Sequence, residues 1–184
     1  MDPVSAIIAP AEALPDCDDK LATLHRTWCA IRPAPGLLPG RQHFDPIAVA
    51  RLLPWLWLVD VHRAPQGPQL RFRYRLVGSI HVEAGGFDPT GRWLDEAHPR
   101  FASSNAMPHF IAAAAGEGFC FYRGRPVYAI NKDYIAIERL VLPLARDGTS
   151  VDILLGITVL NPRPPRRPAL DAGAVPADLA AQHA

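Results

Sequence analysis

The short motifs that announce catalysis are missing from this sequence. None of CxxC, HExxH, GxSxG, GxGxxG or a Walker-type loop occurs in its 184 residues, and the glycines of GRQHFDP and GFDPTGR are wrongly spaced to cradle a phosphate. No two acidic residues stand close together in an apolar setting, so two-carboxylate acid–base chemistry has no candidate. Cys17, Cys29 and Cys120 are odd in number and far apart, give no zinc or redox spacing, and are expected as reduced, partly buried thiols. Charge of one sign is also absent: 19 basic residues face 18 acidic ones, the net charge is +1, and the basic residues form no stripe that would neutralise a nucleic-acid backbone. No apolar run approaches the ~20 residues a helix needs to cross a bilayer, and the N-terminal MDPVSAIIAPAEALPD is acidic and proline-broken, without the basic region of a signal peptide. The expectation is a soluble cytoplasmic protein, not an enzyme, with no nucleic-acid or membrane partner and with no catalytic or metal-binding residue assigned.

What is present is one core's worth of apolar sequence, 49% hydrophobic and 20% charged, between proline-rich ends. Pro3, Pro10 and Pro15 fall in one end and Pro162, Pro164, Pro165, Pro168 and Pro176 in the other; such ends bury too little apolar surface to offset chain entropy. They predict a flexible N-terminal tail over 1–15, a single domain over 16–161 and a proline-rich C-terminal tail over 162–184. Within the domain, helical segments occupy 16–53 and the core 55–161.

Asp16 predicts a helix start, after which Cys17, Leu21, Leu24, Trp28 and Ile31 recur at steps of three and four until Pro33. Asp45-Pro46 opens a second, short apolar helix containing Ile47, Val49, Ala50, Leu52 and Leu53, ended by Pro54. The pattern then turns to strands: WLWLVDVHR and LRFRYRLVG flank the loop APQGP, and Leu70, Phe72, Tyr74 and Leu76 alternate with Arg71, Arg73 and Arg75, giving one core face and one cationic face. At Gly78 the period stops. SIHVEAGG predicts a helical turn, FDPTG a turn, RWLDE a short segment, and Pro99 to Ala115 a longer helix with Phe101, Met107, Phe110, Ile111 and Ala114 inward, ended by Gly116 and Gly118. Three strands follow in FCFYRGRPVYAI, YIAIERLVLPLA and SVDILLGITVL. With no βα repeat, the pattern predicts an α+β domain on a five-stranded antiparallel sheet.

This order, together with LPGRQHFDPIAVARLLPWLWLVDV, FRYRLVGSIHVEAGGFDPTGRWLDE and IERLVLPLARDGTSVDILLGIT, resembles the PAS fold. More narrowly it is similar to the stand-alone PAS-type proteins of unassigned function described mainly from alphaproteobacteria. The resemblance implies a five-stranded antiparallel sheet with short helices and one longer connecting helix on one face, preceded by N-terminal helices. It implies a sensory or protein-interaction module with a small-molecule cavity between sheet and helices, signalling through an as yet undefined protein partner. A small-molecule-binding enzyme or carrier on the same scaffold, and a ligand-free structural adaptor, are the alternatives. The cofactor is unknown. His109 lies on the connecting helix, the element from which haem-binding members supply an axial imidazole, although a surface histidine fits its position equally well.

Candidate lining residues for the cavity are Tyr74, Leu76, His81, Trp93, Met107, Phe110, Tyr122, Ile137, Arg139 and Leu155. The inner sheet face is expected to carry Tyr74, Leu76, Phe121, Val127, Ile137, Leu155 and Ile157. Arg139 has two readings: a solvent-edge residue paired with Glu138 or another carboxylate, or an inward anchor for an anionic ligand helped by Tyr74, Tyr122 or Trp93. Trp55 and Trp57 share one strand face, and with the N-terminal helix stripe they offer a homodimer contact.

Overall fold

The structure, a computed structural model, describes residues 4–8, 13–64, 70–126 and 136–161. Five strands answer the predicted ones: β2 (Leu56–Arg63), β3 (Leu70–Val77), β4 (Phe119–Gly124), β5 (Ile137–Leu144) and β6 (Ile153–Leu160). A further strand, β1 (Val4–Ile8), was not anticipated, because the prolines around it dominate the composition of 1–15. Its apolar VSAII suits the open edge of β4, where Val4 stands opposite Arg123 and Ile8 opposite Phe119. The sheet order is β1-β4-β5-β6-β2-β3 with every neighbour antiparallel. Between β3 and β4 run α2 (Ser79–Gly85), α3 (Leu94–Ala97) and α4 (Ala106–Ala115), so the five strands and their helical connection form the α+β arrangement that the PAS resemblance implies. The C-terminal stretch 162–184, Val127 and most of the APQGP loop lie outside the described residues.

Both sheet faces are covered, so every residue of β5 and all but the last of β6 are buried. The second face is covered by α1 (Asp19–Ala30), whose Leu21, Leu24 and Trp28 are fully buried, and Trp28 Nε1 donates to the Pro143 carbonyl at 2.9 Å. Asp18, not Asp16, caps this helix, its Oδ1 accepting from Lys20 N at 3.0 Å; Asp16 instead offers its carbonyl to Arg123 Nη2. The segment Ile47–Trp55 forms 3-10 turns kinked at Val49 rather than an α-helix. Only Val49 and Leu52, three residues apart, are buried there, which is the 3-10 spacing, while Ile47 is 81% exposed.

Two local features aim the other face at the connecting helices. Gly78 N donates to Leu56 O at 2.8 Å, and a Cβ on Gly78 would stand 2.4 Å from the Pro54 carbonyl oxygen, so only glycine lets β3 turn there into α2. Just before it, Leu58 pairs with Leu76 and Val59 with Tyr74, leaving Arg75 as the extra residue of a β-bulge. The bulge inverts the strand's alternation beyond Tyr74. α4 begins seven residues later than Pro99, since Ser104 Oγ bonds Phe101 O at 2.7 Å and accepts from Ala106 N at 3.2 Å, holding 101–105 in turns.

Candidate functional site

A cavity of about 150 Å³ lies between the sheet and the β3–β4 connection. Its sheet wall carries Trp57 from β2, Tyr74 and Val77 from β3, Ile137 and Arg139 from β5, and Thr158 and Leu160 from β6; α2, α3, α4 and the loop at Phe87 close the other side. The space is partly open, mostly apolar, and large enough for a molecule about the size of benzene.

The aromatic part of the wall is built by packing. Trp57 and Phe110 stack with ring centroids 5.4 Å apart and planes 6° from parallel, and Phe110 meets Phe101 edge-on at 5.1 Å. Trp57 Nε1 donates to Thr158 Oγ1 at 3.0 Å, tying the indole to β6. The polar part centres on Arg139, which is 2% exposed. Alternation along β5 sends Arg139 into the cavity and Glu138 through the opposite face, where Glu138 Oε1 accepts from Arg123 Nε at 2.7 Å and Oε2 from Asp18 N at 2.7 Å. The inward reading of Arg139 is therefore the one the fold adopts. Its guanidinium lies 5.1 Å from the Tyr122 ring centroid and 6.0 Å from that of Phe110.

Two histidines complete the wall. His81 Nε2 donates to the Trp55 carbonyl at 2.7 Å, and burial lowers its pKa against a smaller opposing effect of that hydrogen bond. His98 Nε2 and Tyr74 Oη lie 3.1 Å apart in a hydrogen bond, and burial lowers the His98 pKa as well. Both rings are thereby held neutral at pH 7.

Tyr74, His81, Phe110, Ile137 and Arg139 line the cavity; the other five candidates do not. Leu76 is 42% exposed because the bulge turns it outward and puts Val77 in its place. Leu155 is buried on the opposite face, opposite Leu142 on β5 and Leu58 on β2, as are Phe121 and Ile157, each opposite Leu140 from a neighbouring strand. Trp93 sits outside β3 beneath Arg71, whose guanidinium is 4.2 Å from its ring. That arginine face is largely paired, Arg71 with Asp95 and Glu96 and Arg75 with Asp60. Met107 packs against the core away from the cavity. Tyr122 stands behind Arg139 with its hydroxyl donating to Arg125 O at 2.7 Å, positioning the arginine rather than facing the cavity.

Trp57, Val77, His98 and Thr158 are lining residues that the sequence did not reveal as such. The parity of Trp57 was visible; the contact between His98 and Tyr74, across 24 residues, carries no sequence signal. His109 is buried, not a surface residue: its ring lies 6.1 Å from Tyr122 and outside the cavity wall, and its pKa is lowered by burial and then by Arg139. Neither that placement nor the cavity volume fits a haem. Of the surfaces expected to pair two copies, Trp57 and Leu21, Leu24 and Trp28 of the α1 stripe are buried within one chain, while Trp55 is half-buried beneath Lys20. Of the cysteines, Cys120 is buried with its thiol pushed up to about 12, chiefly by burial; Cys17 is half-buried and Cys29 exposed. Among the described residues, no helix is long and apolar enough to cross a membrane.

No protein-family model and no curated protein matches the sequence. Among solved structures, the chain is similar to one described as "Structure of an RNA-binding Light-Oxygen-Voltage Receptor", with a TM-score of 0.45 and 13% identity, covering 86% of this chain and 38% of that one.

Proposed function

We propose that the protein is a PAS-type sensory module that takes up a small molecule between its sheet and its β3–β4 helices and reports occupancy to a protein partner. The observation that carries this reading is the cavity itself, a partly open space walled by Trp57, Phe110 and Leu160 and holding a few convergent polar groups. A binding rather than catalytic role is supported by the histidines on its wall, which are neutral and engaged with Trp55 O and Tyr74 Oη. The route out is supported by β5: Arg139 faces the cavity while Glu138, the adjacent residue, holds the segment leading into α1 through Asp18 N. A ligand that shifts β5 therefore bears directly on the N-terminal elements.

Native mass spectrometry of freshly purified protein tests this and reads oligomeric state at the same time. The expected result is a bound species that departs on denaturation, or an empty protein whose melting temperature rises with benzene-sized probes such as toluene. An empty protein indifferent to every such probe overturns it and favours a filled, purely structural adaptor.

A further inference from the structure

The hydrogen bonds of the cavity wall narrow the class of molecule it takes, an inference that rests on the cavity being a ligand site. α2 presents His81, Ala84 and Gly85, spaced by three and four residues, to the cavity. His81 is held at both ends: its backbone N–H donates to Gly78 O at 3.0 Å, and its ring Nε2 donates to Trp55 O at 2.7 Å. A carbonyl oxygen only accepts, so Nε2 carries the single proton of the neutral ring and Nδ1 keeps a lone pair. Burial, which lowers the His81 pKa, opposes a second proton there. No described residue donates to that Nδ1. The wall around it is mostly apolar, and the indole N–H of Trp57 is already given to Thr158 Oγ1 at 3.0 Å.

We propose that the cavity binds a mostly apolar molecule whose hydroxyl or ring N–H donates to Nδ1 of His81. A ligand without a donor displaces water from Nδ1 and leaves it unpaired, which is costly. A ligand that donates through an ammonium brings a charge into mostly apolar surroundings, which is costlier still. Phenol joins an aromatic body to a suitable donor, and toluene has nearly the same shape without one.

Imidazole nitrogen NMR of the full chain, titrated with phenol and with toluene, tests the proposal. In the free protein the His81 Nδ1 signal is expected where an unprotonated ring nitrogen resonates. Phenol should move it toward the position of a hydrogen-bonded nitrogen, and toluene should not. Calorimetry reads the same pair of probes: His81→Leu is expected to weaken phenol about fivefold more than it weakens toluene, the worth of one neutral hydrogen bond. Toluene binding without that shift from phenol, or equal weakening of both probes by His81→Leu, overturns the donor assignment and leaves the cavity a site for wholly apolar molecules. If neither probe binds, the ligand-site reading itself falls. The wild-type nitrogen signal decides the matter even if the variant fails to fold.

Discussion

At Gly156 one missing side chain determines whether the cavity wall exists. Trp57 occupies the space over β6, and a Cβ there would stand 2.0 Å from Trp57 Cζ2. Gly156→Ala must push the indole off Thr158 and away from Phe110, and overpacking of this kind costs about 1–3 kcal/mol. Urea unfolding should show that loss, together with weakened probe binding; an unchanged midpoint contradicts the packing described. The histidines carry a second expectation. His25, His81, His98 and His109 have pKa values lowered from 6.5, all chiefly by burial. On acidification the unfolded chain takes up protons on these rings before the folded one does. Stability is therefore full above about pH 6.5 and falls as pH drops through the lowered folded values. Asp147, held at about 2 by its turn hydrogen bonds, titrates below this window. Urea midpoints should be higher at about pH 7.5 than at about pH 5.5, and equal midpoints would contradict neutral burial of these rings.

The elements show what the sequence made legible and what it could not. Strand β3 and the stripe Leu21, Leu24, Trp28 follow from period, and β2, β5 and β6 from apolar runs bounded by turn signals. The sequence pattern puts the start of α1 at Asp16, and tertiary contacts move the cap to Asp18: Arg123 takes the Asp16 carbonyl and Glu138 takes Asp18 N. Asp18→Ala should cost about 1 kcal/mol of stability, and Asp16→Ala much less, when both are measured by chemical denaturation; the reverse order would return the cap to Asp16. The bulge at Arg75 has no glycine to mark it, so alternation carried past Tyr74 puts Leu76 inside where Val77 belongs. Leu155 was misplaced for another reason. A strand buried on both faces loses its alternating signal, and only pairing with Leu58 and Leu142 shows which face it serves.

For the whole molecule, a two-sided sheet separates two jobs. One face, under α1, is a filled apolar core crossed by the buried Arg123–Glu138 pair, which ties the approach to α1 to β4 and β5. The other face leaves a space at the point where Gly78 and the Arg75 bulge turn the chain into its helical connection. The claim that this space receives a ligand is tested most directly by methyl NMR during titration with toluene and phenol. The account predicts shifts confined to the lining methyls of Val77, Ile137 and Leu160, with Leu142 and Leu155 on the opposite face unmoved. Shifts at none of the lining methyls, or equally on both faces, would contradict it.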